Sequence, residues 1–442
     1  MDAALERSAM PKIYIRLLPF LVVAYILAYV DRINVSFAAL TMRSDLDMSA
    51  AAFGFAAGTF YWGYFLFEVP SNVILEKVGA RIWIARIMIS WGVIAGGTAF
   101  VTGSTSFAVV RFFLGVAEAG FFPGIVLYFT YWFPSHHHAR IVSGFLVGLP
   151  IAVAVGAPVS TGIMSLDGLF GLRGWQLMYI AEAIPTVLMG VATFFVLTDR
   201  PEQAKFLTPE ERQWLSTKLA AERTAKEAVR TYSLWQAMIN PKVLLLAINY
   251  VGLGTASVGM VIFIPQIIKS IGQTDNMTVG WLTMIPYICG AIALVVWGRI
   301  SDHMNERRWN LLIGCVLATV GLVTAGLTLG SYWSLVGMSI ATVGFYGSKG
   351  PFWAMPPMFL SGTALAGGIA WINSIGNLGG FFGAWYVGVM KDATGSFAGG
   401  LFGLALLCLV ASVVCALFLH IPNPTLSAAQ RAAAQRAAAP AQ

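Results

Sequence analysis

Stretches of about 20 residues with almost no charge follow one another along this chain, and their recurrence constrains the fold more than any other feature. Twelve such spans can be read, with approximate limits 13–39, 51–75, 80–101, 106–131, 139–165, 175–198, 240–269, 277–300, 309–330, 334–360, 362–390 and 397–419. A soluble helical protein would set a charged outer face against each apolar inner one, and these spans lack that stripe. Charged residues make up only 11% of the 442 and hydrophobic ones 58%, against roughly 25% charged in soluble domains. The expected class is an all-α polytopic membrane protein with twelve transmembrane helices. No early apolar run ends in a small-residue cleavage site, so the first span is expected to stay in the mature chain.

Lys and Arg placement predicts the orientation. With both termini cytoplasmic, 20 of the 27 basic residues fall on the cytoplasmic side. Only Arg43, Arg173, Lys269 and Lys391 fall on the other, and Arg32, Arg111 and Lys349 lie within spans. The net charge of +7 is thereby explained by topology, and no nucleic-acid partner is called for. Cys289, Cys315, Cys408 and Cys415 all fall in spans without metal-ligand or CxxC spacing, so they read as apolar packing. "SHHHAR" at 135–140 is not expected to bind a metal, because three consecutive His cannot all face one ion in regular geometry.

One long polar stretch separates spans six and seven. Within it "TPEERQWL" carries a helix-start signal: Thr208 as cap, Pro209 first and Glu211 third. The expected organisation is an N-terminal six-helix half (1–198), a cytoplasmic linker with a surface helix (199–239), a C-terminal six-helix half (240–420) and a cytoplasmic tail (421–442). The halves echo one another. Glu76 and Arg81 follow span two, and Asp302 and Arg307 follow span eight, 226 residues further on in each case (76 to 302, 81 to 307). In each copy the acid is expected to cap a helix start and the Arg to pair with it, latching the cytoplasmic face. Repeated halves about a midplane site are the architecture of secondary transporters.

Both loops resemble the signature Gly-x-x-x-Asp-Arg-x-Gly-Arg-Arg of the major facilitator superfamily, with Asn72 for Gly and Glu76 for Asp in the first copy. In span four, Arg111 and Gly115 resemble the superfamily's Arg-x-x-x-Gly element. "YVDRINVSFA", "GVAEAGFFPG", "GPFWAMP" and "NSIGNLGGFFG" resemble its anion:cation symporter branch. That branch includes bacterial tartrate, galactonate, glucarate and phthalate permeases and animal vesicular glutamate and sialic acid carriers. The resemblance covers nearly the whole chain. It implies a major facilitator fold of two pseudo-symmetric halves, in the bacterial inner membrane, that moves a small organic anion with protons.

Seven ionisable side chains lie within spans: Asp31, Arg32, Glu68, Arg111, Glu118, Glu182 and Lys349. Each would cost about 2.5–3.5 kcal/mol at the bilayer centre, so each needs a partner, water or a function. Asp31 and Arg32 diverge by about 100° on a helix. Asp31 suits a proton site, and the Arg32 fork suits a carboxylate. The resemblance implies a second protonation site at Glu118, two turns from Arg111, which could assist proton release. Tyr64 belongs to an aromatic stripe, Tyr61, Tyr64 and Phe65, that ends in Glu68, and is a candidate for a substrate hydroxyl. Further candidates are Gln266, Lys349 and Trp353 on one face, and Asn373 and Ser374 in span eleven. Gly350-Pro351 and Pro356-Pro357 are expected to interrupt span ten beside a cavity. Glu68 is assigned no role, nor is Glu182, which could face a polar patch near Arg173.

The expectation is a proton-coupled symporter of a carboxylate, phthalate-like or tartrate-like, working by alternating access. It would need no cofactor and no metal, would act as a monomer, and would not be an enzyme. The alternative is an antiporter or exporter of the same fold.

Overall fold

The computed structural model describes residues 2–228, 238–272, 275–304, 306–360 and 362–419. The expected tail, 421–442, lies outside the described residues, as do 229–237 of the linker.

Every expected span is helical, and no strand occurs among the described residues. In the first half these are α1 (Asp2–Asp45), α2 (Ala50–Val78), α3 (Ala80–Gly97), α4 (Ser104–Glu118), α5 (Phe121–Thr130), α6 (His138–Leu146), α7 (Gly148–Met164) and α8 (Gly174–Val196). The linker carries α9 (Pro209–Ala228). The second half has α10 (Pro241–Lys269), α11 (Asn276–Met304), α12 (Arg308–Leu327), α13 (Tyr332–Gly347), α14 (Lys349–Trp353), α15 (Gly362–Thr394) and α16 (Ala398–Leu417). Nine helical stretches among the described residues are long and apolar enough to cross a membrane. The second, tenth and eleventh spans are α2, the pair α13–α14, and α15.

Three of the spans are broken. The fourth splits into α4 and α5 just after Glu118, where Gly120 takes φ +86°. A Cβ there would lie 2.4 Å from Ser71 Oγ on α2, so both the left-handed turn and the close approach require glycine. The fifth breaks at Val147 and the tenth at Ser348, beside the expected Gly-Pro stretch. Interrupted helices leave backbone groups that persist at membrane depth only against protein or a watery cavity.

The two halves meet along three seams: α2 with α15, α7 with α11, and α1 with α10. At the end distant from the linker the seams are clasped. Asp392, near the end of α15, accepts from the amides of Ala50 (3.0 Å) and Ala51 (2.7 Å) at the start of α2. Arg43 donates to Gln266 at 2.6 Å. Between the clasps the backbones of α2 and α15 nearly touch, since a Cβ on Gly54 would lie 2.3 Å from the Ala384 carbonyl oxygen. Small residues at such crossings give dispersion contact where lipid offers no hydrophobic drive.

The linker docks on the first half. Thr208 and Glu211 form the expected capping box, with Thr208 N donating to Glu211 Oε2 at 2.9 Å and Glu211 N to Thr208 Oγ1 at 3.3 Å. Glu211 Oε1 also accepts from Ser8 and Lys12 of α1, both at 2.6 Å. Burial opposes ionisation of Glu211, but the bonds from Lys12 and Ser8 outweigh it and hold its carboxyl below the ordinary value.

The repeated loops differ from expectation: among the described residues neither Glu76 nor Asp302 caps a helix start, Glu306 and Asp199 taking those amides, and only the second copy forms the expected pair. Arg307 pairs with Asp302 at 2.6 Å. Arg81, however, turns to Asp199 at the end of the sixth span, with its backbone N 2.8 Å from Asp199 Oδ1. Glu76 makes no ion pair among the described residues. Gly79, at φ +100° and under Asp199, redirects the chain and brings Arg81 to that acid instead. Neither Arg crosses between halves here. At the same end, Glu6 lies within hydrogen-bond distance of His136 Nε2 (2.6 Å) and His137 Nε2 (3.2 Å), while His138 Nε2 reaches the Phe133 carbonyl at 2.7 Å.

Candidate functional site

A cavity of about 160 Å³ lies between the halves. Cavities near this size hold a benzene-sized molecule, so the space suits a small solute. Three cationic side chains line it: Arg32 from α1, Arg111 from α4 and Lys349 from α14. The rest of the wall mixes aliphatic and aromatic side chains, with Tyr29, Tyr61, Tyr250, Tyr287 and Tyr346 among the latter. Ser36, Ser257 and Asn377 add further polar atoms.

The three cations are not equivalent. Arg32 pairs with Glu118, the last residue of α4 before the break. Its guanidinium also lies over Tyr29 (5.4 Å), Phe60 (5.2 Å) and Tyr64 (5.4 Å), and its Nε is buried without a partner. Arg111 is 2% exposed and belongs to no ion pair among the described residues. Its Nη2 reaches only the Ala57 carbonyl at 3.4 Å, and its Nε and Nη1 are buried and unpartnered. Lys349 Nζ sits 4.3 Å from the Tyr346 ring centroid, with no acidic partner among the described residues. A buried guanidinium with unused donors is expensive, and an incoming carboxylate would satisfy it.

Asp31 points away from the cavity. It is buried, and its Oδ2 accepts from Thr186 of α8 at 2.8 Å. The neighbours Asp31 and Arg32 thus diverge as their helical separation predicts. Tyr64 is buried beside Arg32 and does not line the cavity. Trp353 packs on Tyr250, with centroids 5.1 Å apart, one layer behind the wall. Gln266 lies in the distal clasp with Arg43 rather than in the cavity. Asn373 and Ser374 also stand off the wall. They donate across the α2–α15 seam to Glu68, at 3.1 and 3.2 Å.

Glu68 is seven residues beyond the cavity residue Tyr61 on α2, about 10 Å toward the linker end. Asn373 is four residues before the cavity residue Asn377, about 6 Å in the same direction. The three therefore pin the seam shut on the linker side of the cavity. The expected outcome is that Glu68→Ala and the double change Asn373→Ala, Ser374→Ala slow or speed transport alike. Anion affinity measured in detergent should stay within about threefold, since each side of the pin is worth about 1–2 kcal/mol to the closed seam and not to the ligand. A tenfold loss of affinity in the double variant would return Asn373 and Ser374 to the anion.

Several wall residues are absent from the sequence-based candidates: Tyr29, Tyr250, Tyr287, Tyr346, Ser36 and Ser257. A signal for two of them exists. Tyr29 precedes Arg32 by three residues and Tyr346 precedes Lys349 by three, so each cation shares a helical face with a tyrosine.

The family model described as Major Facilitator Superfamily matches residues 21–384. A protein of Agrobacterium vitis named "Putative tartrate transporter" is 47% identical, with 94% of this chain and 95% of that protein covered. The "Quinolone resistance transporter" of Acinetobacter baumannii is 37% identical, covering 91% and 93%. Among solved structures, a D-xylose–proton symporter superposes with TM-score 0.75 at 14% identity, covering 92% of this chain and 98% of that one. That last likeness shows the fold alone. With its matched family model and its full-length relatives, this chain is an integral membrane transporter and belongs to the Major Facilitator Superfamily.

Proposed function

We propose that the chain imports a small organic dicarboxylate together with protons, by alternating access between its halves. The observation that carries this reading is the Arg32–Glu118 pair at the cavity wall. Glu118 and a substrate carboxylate compete for the same guanidinium. Protonating Glu118 frees Arg32 for the anion, and an anion on Arg32 favours the protonated acid. Such a coupling is reciprocal by thermodynamic necessity, and it is the core of symport. Arg111 and Lys349 supply the second positive charge that a dicarboxylate needs. Placement of Glu118 at a helix break leaves it room to change partners.

Tyrosine and serine hydroxyls around three cations suit a hydroxylated diacid, and the relative named for tartrate supports that choice. The bacterial relatives support the bacterial inner membrane as its setting, and anion:cation symport is the branch this function fits. The quinolone-resistance relative favours a second reading, an exporter of larger organic anions, but the cavity in this state suits a solute of benzene size.

Proteoliposomes separate the two. With tartrate outside, no solute inside and an imposed pH gradient, acid outside, uptake above the no-gradient rate is the expected result. A screen of tartrate, galactonate, phthalate and a fluoroquinolone should rank the diacids first. Uptake indifferent to the gradient, or requiring internal counter-solute, would overturn symport.

A further inference from the structure

Outside the cavity, α1, α7 and α8 bury two carboxyls together. Glu182 is 5% exposed, with Oε1 accepting from Ser160 Oγ at 2.6 Å and Oε2 from Asn34 Nδ2 at 2.9 Å. One turn along α8, Thr186 donates to Asp31 Oδ2 and also lies 3.4 Å from the Glu182 carbonyl oxygen. Neither acid belongs to an ion pair among the described residues, and neither lines the cavity. Glu182 does not face the polar patch near Arg173, whose Nε lies 4.0 Å from Asp45.

From this arrangement we infer that Glu182 is a proton-binding site of the transport cycle, separate from the anion cavity and paired with Asp31. The inference rests on the symport reading above for its role, though not for its existence. Charge balance is its first support. The interior of this half holds two guanidiniums, Arg32 and Arg111, against the acids Asp31, Glu68, Glu118 and Glu182, of which Glu68 is bound by Asn373 and Ser374 at the α2–α15 seam. Glu118 takes Arg32, and Arg111 reaches the Ala57 carbonyl and the Phe60 ring, with no acidic partner among the described residues. Two neighbouring buried carboxyls without a cation cannot both stay ionised cheaply, so the pair holds a proton through part of the cycle.

The hydrogen-bond pattern is the second support. Asn34 Oδ1 is buried and has no partner. With Glu182 ionised, the amide NH2 donates to it. With Glu182 protonated, the new O–H needs an acceptor, and a turned-over Asn34 amide supplies the oxygen that is now unused. Ser160 continues to donate to the other carboxyl oxygen in either state. The site can thus accept H⁺ on a carboxylate oxygen and give it back with the carboxyl group hydrogen-bonded to Ser160 and Asn34 in both states. The charged and titratable groups around Glu182 are Asp31 on α1 and Tyr179 on its own helix, with Arg111 on α4 beyond Tyr179. Ser160 on α7 adds a hydroxyl and no charge. Its neighbour Thr161 lies against α11, where a Cβ on Gly280 would meet Thr161 Oγ1 at 2.0 Å. The proton site therefore adjoins one of the three seams.

Two measurements on the full-length protein test this. Infrared difference spectra between acidic and alkaline buffer, without substrate, should show a carboxylic C=O band that Glu182→Gln removes and Ser160→Ala shifts in frequency. In proteoliposomes, the potential that stops tartrate movement under a fixed pH gradient should shift in Glu182→Gln by the amount of one proton fewer per anion. Glu182→Asp should recover the original value. An unchanged band pattern in both variants, or an unchanged reversal potential in Glu182→Gln, would overturn the site. If the band is lost but the parent protein shows no gradient-driven uptake, symport fails while the proton site stands. Should Glu182→Gln not fold, the Ser160→Ala spectrum decides.

Discussion

Arg32→Gln is expected to reduce carboxylate uptake by at least about 100-fold. The change removes a charge-assisted bond to the substrate and also leaves Glu118 buried without its cation, each costing several kcal/mol. Every 1.4 kcal/mol is tenfold in affinity, so a loss of that order is a floor. A purely structural ion pair would predict the same loss, and the partner variants separate the two. Glu118→Gln should keep tartrate counterflow while losing its acceleration by external acid, because the competing carboxylate is gone but Arg32 remains. Arg32→Gln with Glu118→Gln removes the stranded charge and should restore folding, measured as monodisperse yield in detergent, without restoring uptake. Recovery of uptake in the double variant would show that Arg32 does not hold the anion.

Lys349→Ala should discriminate between substrates. Lys349 enters the cavity from the C-terminal half, opposite the arginines of the N-terminal half, and among the described residues has the Tyr346 ring and no acid as a partner for its charge. A second carboxylate on the solute would gain a charge-assisted hydrogen bond there, worth about 1.5–3 kcal/mol. The expected result is a loss of about 10- to 100-fold in affinity for a dicarboxylate and under threefold for its monocarboxylate analogue, read as competition against labelled substrate. Equal losses on both would remove Lys349 from the anion site. Because this cation stands on the opposite half from Arg32, an anion held by both would also tie the halves together, which a monocarboxylate could not.

How much of this was readable beforehand differs between the fold and the site. Span positions came through nearly unshifted because hydropathy over 20 residues is a sum, insensitive to any one side chain. The Thr208–Glu211 cap and the break at Ser348 were equally local. Arg32 and Lys349 were legible as cavity candidates because a charge in a bilayer is too expensive to be idle, while Arg111 was read as an aid to proton release and its place in the cavity wall was not foreseen. The Asp302–Arg307 pair, five residues apart, was legible, and long-range pairing was not. Arg81 chose Asp199, Gln266 chose Arg43, and Asn373 and Ser374 chose Glu68, each 118 or more residues away. Those choices depend on which helix faces which, and no single-span pattern carries that. The tyrosine walls were missed for a related reason, since an aromatic in an apolar span reads as packing until a cation is found on its face.

The clasps on the α2–α15 seam finally bear on where an empty carrier waits. The Asp392 contact with α2 lies at a helix start, where water can replace it as it opens, so its net worth is about 1 kcal/mol. Glu68 is 6% exposed, and its two donors would have to be traded within a drier seam. Two gates of unequal hydration do not open with equal ease. A difference of about 1.4 kcal/mol between them would set a tenfold ratio between the two resting populations. The side on which solute is first met would then be decided by how wet each clasp is, before any solute or proton has bound.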